Sequence, residues 1–543
     1  MAQGFKQKEG IDYSIPDVYA GVISYSSMRF LLSLACQKGF LLSQSDITGA
    51  YLQSYLNEDI YMEVPPDMMV DGRPPRNENG EELVMKLKRG LYGLVQGGGL
   101  WSQTFKSFLL SSKDGKANAR ACFNPESDNY ELFVGDPVDV GDGEMDLSKC
   151  KSDDDYDMQF HELSGDSSVY RKRFILNGRE EEILLGQYVD DLIIVASSEE
   201  ARQWFMRRLE SRFPVNPNST GVIEGEKRGN ILSMDVFYDR EKGILQINQN
   251  EAIEALARKL KVDKQPPRSL PLSSDKQLPK LEQASVPQRD YLSIVGSLLH
   301  IAGVSRPDIS YAVGVLSRHS STPGHEHMKA AIDVVRYLYG TRHLCIQYFR
   351  CSEGGNNPEV FETNSPPMSR TLADRLMASV PEGSKGPDVY VDADLAGDKT
   401  TYRSTSGMVT FMNGGPISWY SRLQRLVAQS SAESEVLAVI DSMKEALHIK
   451  TLAEEAGIRP RNIPIRIWED NVACILLGDK LKHSRQTRHF AIRLRFMFEH
   501  VSDKTIQFSK IDTKDQLADG FTKQLTRQNF EEWRSKLMSA TGA

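Results

Sequence analysis

The chain has few cysteines and no long apolar run, and both shortages narrow the classes of protein to which it can belong. Its 543 residues include only six cysteines, and their positions lack the spacing of a zinc site. This predicts a reduced, intracellular protein with unpaired thiols. Residues 30–36 are apolar but too few to span a bilayer, and residues 1–13 are too polar for a secretory signal. The sequence therefore predicts no membrane partner, and it does not separate a cytoplasmic from a nuclear location. The cysteines are Cys36, Cys122, Cys150, Cys345, Cys351 and Cys474.

Excess positive charge is also missing, although its absence has a local origin. The net charge is −8, which is unusual for a nucleic-acid enzyme. Residues 126–166 hold 14 Asp or Glu and 2 Lys, a net of −12, so that −8 minus −12 leaves +4 for the rest. We interpret about 113–168 as a solvated, disordered acidic insertion that projects away from any phosphate path. A metal-binding role for this segment is the less favoured alternative.

Two adjacent acids interrupt an apolar stretch in the middle of the chain. Asp190 and Asp191 follow Tyr188-Val189 and lie within the apolar residues 183–196. Burying an unpaired carboxylate is costly, so this pattern favours a tight hairpin that carries both acids to one edge, where a metal neutralises them. The alternative is a surface turn that happens to contain two acids. The apolar flanks favour two buried strands that meet at the acids.

A third acid extends this hypothesis. Asp46 precedes Ile-Thr-Gly-Ala-Tyr51 and follows the segment Phe40-Leu-Leu-Ser-Gln-Ser45. With Asp190 and Asp191 it would provide carboxylates for two Mg²⁺ ions, which lie roughly 3.5–4 Å apart in such sites. A carboxylate cluster of this kind serves phosphoryl transfer, which depends on positioning and charge stabilisation. Taken alone, Asp46 also fits a strand end or a helix cap.

These acids belong to a series of short blocks that cover nearly the whole chain. The blocks are Ala2-Gln-Gly-Phe-Lys-Gln-Lys-Glu-Gly-Ile-Asp-Tyr13, Asp46-Ile-Thr-Gly-Ala-Tyr-Leu52, Ile60-Tyr-Met-Glu-Val-Pro-Pro66, Lys86-Leu-Lys-Arg-Gly-Leu-Tyr-Gly-Leu-Val-Gln96, Tyr188-Val-Asp-Asp191, Tyr291-Leu-Ser-Ile-Val-Gly-Ser-Leu-Leu299, Arg306-Pro-Asp-Ile-Ser-Tyr-Ala312, Ser430-Ser-Ala-Glu-Ser-Glu435, and Asp515-Gln-Leu-Ala-Asp519 with Thr522-Lys523. Together, and in the order that the family has, they resemble the reverse transcriptase and ribonuclease H region of a copia-type LTR retrotransposon Pol polyprotein.

The resemblance implies an α+β right-hand polymerase with fingers, palm and thumb, followed by an α/β ribonuclease H-like domain. We place the reverse transcriptase at residues 1–262, with an N-terminal truncation. The following boundaries are a connection region at 263–350, a linker at 351–388, the ribonuclease H-like domain at 389–525 and a C-terminal tail at 526–543.

For the first domain, the resemblance implies an RNA-directed DNA polymerase, a nucleotidyltransferase that uses an RNA template, a DNA primer and dNTPs. Its catalytic and metal-binding residues would be Asp46, Asp190 and Asp191. Tyr51 matches the residue that excludes a ribonucleotide 2′-hydroxyl, although a core tyrosine is the alternative. Gln96 lies in a block that contacts the incoming nucleotide in the family, and the three glycines after it predict a flexible loop.

For the second domain, the resemblance implies an endonuclease that cuts the RNA strand of an RNA–DNA hybrid with Mg²⁺, or with Mn²⁺. Asp392, Glu435, Asp470 and Asp519 match the catalytic and metal-binding acids, although each alone also fits a cap or a surface acid. Glu433 stands three residues after Ser430, which is the spacing of a capping box and gives Glu433 a structural role.

Several departures from the family keep a second hypothesis open. The chain begins inside the family's first block, so we expect the upstream fingers to be missing and dNTP binding to be weaker. Ser233 stands where the family usually has Gly, and Ala491 stands where it commonly has Asp, near His483-Ser-Arg485 and Arg488-His489. The alternative is therefore a catalytically impaired retroelement remnant that binds nucleic acid or a protein partner.

Overall fold

The structure is a computed structural model, and it describes most of the chain. The described residues are 4–13, 18, 20–69, 73–111, 120–124, 129–133, 158–225, 229–273, 278–350, 387–459, 463–479 and 491–540. The predictions for 134–157, for the linker up to 386 and for the block around His483 and His489 lie outside them. Among the described residues, no helix has the length and apolar character needed to cross a membrane.

Twelve α-helices and twenty strands occur in the described part of the chain. The helices are α1 (Tyr25–Lys38), α2 (Gly97–Leu110), α3 (Glu199–Arg212), α4 (Asn250–Lys259), α5 (Gln288–Val304), α6 (Ser310–Ser317), α7 (His325–Gly340), α8 (Ser431–Glu455), α9 (Val472–Asp479), α10 (Ala491–Ser502), α11 (Asp519–Thr522) and α12 (Arg527–Leu537). The strands are β1 (Leu41–Asp46), β2 (Tyr55–Met62), β3 (Met85–Arg89), β4 (Arg120–Asn124), β5 (Asn129–Phe133), β6 (His161–Leu163), β7 (Asp166–Leu176), β8 (Arg179–Tyr188), β9 (Asp191–Ala196), β10 (Gly221–Val222), β11 (Gly229–Ile231), β12 (Met234–Asp239), β13 (Ile244–Asn248), β14 (Leu344–Phe349), β15 (Asp388–Ala393), β16 (Thr405–Met412), β17 (Gly415–Leu423), β18 (Ile465–Glu469), β19 (Ile506–Lys510) and β20 (Ser539–Ala540).

The chain divides into two compact units that do not follow its linear order. Unit 1 comprises residues 1–23, 43–163 and 167–221, and unit 2 comprises 24–42, 164–166 and 222–543. Helix α1 therefore belongs to the same unit as the C-terminal half of the chain. The domain boundaries at residues 262, 350, 388 and 525 stay predictions.

A six-stranded sheet in the order β10-β1-β9-β8-β7-β6 is the main feature of unit 1. Strands β7 and β8 are joined through Asn177-Gly178, both with positive φ, which suits the twist of a two-residue hairpin. The predicted disorder of the acidic insertion is wrong in part, because β4, β5, β6 and the start of β7 lie within it. Ring contacts among Trp101, Phe105 and Phe213 pack α2 into the core.

The three glycines after Gln96 do not form the loop that we predicted. Gly97, Gly98 and Gly99 are the first turn of α2. Glycine lowers helix stability relative to alanine, so local preference opposes this turn. The buried side chains of Leu100, Trp101 and Phe105 further along the helix favour it through tertiary packing.

Unit 2 contains two five-stranded sheets, in the orders β11-β12-β13-β14-β20 and β17-β16-β15-β18-β19. In the second sheet, β15 and β18 are parallel, and α8 packs against β15 through a core that includes Val389, Val391 and Val439. Helix α1 joins this unit through Arg29, which donates to the carbonyl oxygens of Ile417, Gly303 and Val304.

Two segments of unit 2 bear on the sequence analysis. Strands β11 and β12 are joined by a tight turn at Leu232 and Ser233, which both have positive φ. This turn explains why glycine would suit position 233. The predicted tail at 526–543 contains α12, whose Phe530 and Trp533 are buried, and β20, which pairs with β14.

Candidate active sites

Two parallel strands carry acids to one edge of the second sheet of unit 2. The register pairs Tyr390 with Trp468, and two positions further along lie Asp392, within β15, and Asp470, directly after the end of β18. The carboxyl ends of parallel strands meet at one edge of a sheet, which brings these side chains close together. Asp392 is buried and Asp470 is partly exposed.

Helix α8 brings a third carboxylate to this edge. Ser430 caps the helix by accepting a hydrogen bond from the Glu433 N–H, and Glu433 accepts one from the Gln429 N–H at 2.8 Å. This cap fixes the start of the helix, and Glu435 lies one turn in. One carboxylate oxygen from each of Asp392, Glu435 and Asp470 lies within 4.8 Å of the other two. We call these three residues the buried acid cluster.

Burial and mutual repulsion raise the pKa values in the buried acid cluster. The pKa of Asp392 is raised to about 7, mainly by burial and further by repulsion from Asp519. The Thr522 hydroxyl, which donates a hydrogen bond to Asp392, opposes this rise. Loss of water, followed by repulsion from Glu469, also raises the pKa of Glu435. Such groups resist ionising together until a cation compensates them, which is the behaviour of a divalent metal site.

The paired acids of unit 1 lie at the turn between β8 and β9, where Tyr188 pairs with Asp191. Val189 has a φ of +56°, an unfavourable conformation for a β-branched residue. Its carbonyl accepts hydrogen bonds from the Trp101 indole at 2.7 Å and the Gln187 amide at 3.3 Å. The Ile47 N–H, just after β1, also donates to the Asp190 carbonyl at 3.0 Å, so that contacts from distant parts of the chain hold the turn. We call residues 188–191 the paired-acid turn.

The paired acids respond electrostatically to each other and to Asp46. Burial, together with the charges of Asp190 and Asp46, raises the pKa of Asp191 to about 6. The pKa of Asp190 is also raised, mainly by burial and further by Asp46. Asp46 accepts a hydrogen bond from the Asn216 amide at 3.0 Å. Unlike the buried acid cluster, these three acids are not a group with ligand atoms within 4.8 Å, as far as the described residues show.

Comparison with known proteins finds a reverse transcriptase family and several retrotransposon polyproteins. The family model described as reverse transcriptase (RNA-dependent DNA polymerase) matches residues 1–139. The Pol polyprotein of transposon TNT 1-94 from Nicotiana tabacum is 29% identical over 98% of this chain and 33% of its own length. That of transposon RE1 from Arabidopsis thaliana is 28% identical over 99% of this chain and 30% of its own length.

The chain is similar to copia-type retrotransposon Pol polyproteins over nearly its whole length. A more distant relative is the Gag-Pol polyprotein of transposon Ty1-NL2 from Saccharomyces cerevisiae, which is 20% identical over 96% of this chain and 25% of its own length. The chain thus spans about a third or less of the length of these copia-type relatives.

The predicted nucleotide-binding residues of this chain occupy two different environments. Tyr51 stacks on Tyr92 with ring centroids 4.6 Å apart, and burial and the Asp190 charge both raise its pKa. Gln96 is fully buried, where it donates to the Asp12 carbonyl and accepts from the Gln7 amide. Its side chain thus holds the N-terminal block in place, and its contact with a nucleotide stays a prediction.

Of the predicted nuclease acids, Asp519 lies outside the buried acid cluster, although its charge acts on Asp392. Its carboxylate binds the Lys523 ammonium at 2.9 Å. Asp394, directly after β15, has a structural role, because its carboxylate accepts a hydrogen bond from the Thr405 N–H. The role of Asp519 in metal binding remains a prediction.

Two residues near the sites were missed by the sequence reasoning. Tyr92 lies beside Tyr51, and its pKa is raised by burial and by the charge of Asp190. Glu469 is fully buried next to Asp470, and its pKa is raised mainly by burial. The available signal for Glu469 was the alternation of β18, which places it on the same face as Ile465 and Ile467.

Proposed function

We propose that this chain is an RNA-directed DNA polymerase with ribonuclease H activity on RNA–DNA hybrids. The observation that carries the nuclease proposal is the convergence of Asp392, Glu435 and Asp470 within 4.8 Å. The similarity of the chain to copia-type Pol polyproteins supports the polymerase proposal. It also supports the proposed substrates, which would be an RNA template, a DNA primer and dNTPs.

The buried acid cluster fits a divalent cation such as Mg²⁺. Its donors are all carboxylate oxygens, which hard cations prefer, and Glu435 has a buried oxygen for which the described residues provide no donor. When bound, Mg²⁺ would activate a water and stabilise charge at the cleaved phosphate. Asp392, Glu435 and Asp470 would hold the ion, and Asp519 would add negative charge beside Asp392.

In the polymerase half, the residues would act mainly through positioning. The paired-acid turn presents Asp190 and Asp191 from a backbone fixed by Trp101 and Ile47. With Asp46 they would hold the ions that serve the primer hydroxyl and the leaving pyrophosphate. Tyr51, held against Tyr92, would exclude the 2′-hydroxyl of a ribonucleotide.

The purified chain tests both activities in one reaction with labelled RNA template, labelled DNA primer, dNTPs and Mg²⁺. We expect primer extension that Asp190→Asn abolishes and RNA cleavage that Glu435→Gln abolishes, with each variant keeping the other activity. Asp441→Asn, on the exposed face of α8, is the matched control and should keep both. If Asp190→Asn still extends the primer, or Glu435→Gln still cleaves the RNA, the assignment of that residue is contradicted.

A second candidate function is a ribonuclease H joined to an impaired polymerase. The specific observation in its favour is that the polymerase acids, unlike the buried acid cluster, are not close enough together to form a metal-holding group among the described residues. Cleavage without extension would support this candidate. Binding to the hybrid without either reaction would support the non-catalytic remnant.

A further inference from the structure

Tyr92 lies on the loop before α2 and stacks on Tyr51, the residue to which the resemblance assigns sugar selection. The two ring centroids are 4.6 Å apart, and the ring planes are inclined by 31°. Both residues are half-buried, so the pair lies at the surface of unit 1 and not in its core. Aromatic rings at this distance attract each other beyond the effect of the area that they bury. Tyr92 therefore supports the ring of Tyr51.

The first turn of α2 also lies beside the Tyr51 ring, but it has no side chains with which to hold that ring. A Cβ added at Gly97 would lie 3.5 Å from Cδ2 of Tyr51, which is an ordinary contact distance. Glycine leaves this space unfilled, and a side chain that is not packed can adopt other rotamers. Within the described part of the chain, Tyr92 is the aromatic side chain that contacts Tyr51. The orientation of Tyr51 thus depends on Tyr92.

The elements that surround this tyrosine pair are hydrogen-bonded to the paired-acid turn. Tyr51 follows Ile47 by four residues, and the Ile47 N–H donates to the Asp190 carbonyl. Helix α2 is joined to the same turn through Trp101, whose indole donates to the Val189 carbonyl. Burial, and after it the charge of Asp190, raises the pKa of both tyrosines. The pair thus lies near the acids that would hold the ions serving the primer and the incoming nucleotide.

We propose that Tyr92 is a positioning residue for sugar selection, because its ring holds Tyr51 in the orientation that collides with the 2′-hydroxyl of a ribonucleotide. This role rests on the proposed polymerase function, and it makes the two tyrosines one unit in the choice of dNTPs over rNTPs. Tyr92 acts through Tyr51 and does not itself contact the sugar. Its aromatic ring matters more than its hydroxyl, since the ring makes the contact.

Primer extension by the full chain with Mg²⁺ tests this role through the ratio of kcat/KM for a dNTP to kcat/KM for the matching rNTP. We expect Tyr92→Leu to lower this ratio about fivefold to tenfold, the scale of one aromatic pair. The rNTP value should rise, because the unsupported Tyr51 ring moves away from the 2′-hydroxyl, and the dNTP value should change little. Tyr92→Phe keeps the ring and should keep the wild-type ratio. A loss of folded protein lowers both values equally, so the ratio reports sugar selection even in a less stable variant.

A double-mutant cycle tests whether Tyr92 acts through Tyr51. Tyr51→Val should lower the ratio at least as much as Tyr92→Leu does. Adding Tyr92→Leu to Tyr51→Val should then lower it no further. Tyr61→Leu is the matched control, because Tyr61 is an exposed tyrosine on β2 of the same unit, and this variant should keep the wild-type ratio.

The outcomes separate the positioning role from the proposed function. If Tyr92→Leu keeps the wild-type ratio while Tyr51→Val lowers it, the positioning role is overturned and the polymerase function stands. A further fall in the double variant also overturns it, because Tyr92 would then act independently of Tyr51. If Tyr51→Val keeps the wild-type ratio, the assignment of sugar selection to Tyr51 is wrong, and the role of Tyr92 with it. If the wild type extends no primer, the proposed polymerase function fails together with both.

Discussion

At the scale of single residues, the paired-acid turn shows how strain is held in place. Val189 has a positive φ, and left-handed backbone at a residue with a side chain costs about 1–2 kcal/mol. The hydrogen bonds to its carbonyl from Trp101 and Gln187 offset that cost. Asp190 and Asp191 are therefore presented by a backbone that their own local sequence does not favour.

Replacing Trp101 with Phe tests this arrangement. The variant keeps an aromatic ring in the core but removes the indole donor to the Val189 carbonyl. We expect the free energy of unfolding to fall by about 1 kcal/mol, and primer extension to fall more than RNA cleavage. Urea unfolding and the two activity assays measure these effects. Trp204→Phe, in the same core but outside the turn, should spare primer extension.

At the scale of elements, a buried ion pair joins the segments that follow helix α4. Arg306 and Asp308 have fully buried side chains that contact each other at 2.8 Å. Arg306 also donates to the Thr341 carbonyl, and Tyr337 of α7 donates to Asp308 at 2.6 Å. Burial opposes ionisation of Asp308, but Arg306 more than offsets this, so that the pKa of Asp308 is lowered.

Removing one partner of this pair should be far more damaging than removing an exposed pair. Arg306→Met leaves the Asp308 charge buried with Tyr337 as its remaining neutral donor, and we expect a loss of about 3–5 kcal/mol. Arg268→Met breaks the more exposed pair with Asp333 and should cost about 1 kcal/mol or less. Denaturant unfolding measures the loss of unfolding free energy in both variants. Equal losses in the two variants would show that burial does not set the effect.

At the scale of the whole molecule, the buried acids should govern how stability depends on pH. Folding raises the pKa values of Asp392, Glu435 and Glu469 above those of the unfolded chain. Groups with raised pKa values contribute stability that is fully present below their unfolded pKa and is lost as the pH rises through their folded pKa. Stability of the metal-free chain should therefore decline from about pH 4 through and beyond the Asp392 pKa of about 7.

Melting temperatures in EDTA across this pH range measure the decline. Mg²⁺ should reduce this loss of stability most at the alkaline end, where the acids are deprotonated and can bind the ion. Asp392→Asn removes one of the titrating groups and should flatten the curve. A melting temperature that does not change with pH, or that changes equally in Asp392→Asn, would be inconsistent with this assignment.

The sequence by itself determined the local features of this protein, and the tertiary structure decided which of its polar groups lose water. Strand alternation before Asp392 and the capping residues Ser430 and Glu433 depend on neighbours a few positions away, so they can be predicted from the sequence. The burial of Glu469 depends on α8, some thirty residues earlier in the chain, and the burial of Gln96 depends on Gln7 and Asp12. Likewise, helix formation through the three glycines after Gln96 follows from the packing of Trp101 and Phe105, which local propensity does not contain. Periodicity and capping act over one or two turns, whereas desolvation depends on whichever distant element covers the residue, and that is known only once the chain has folded.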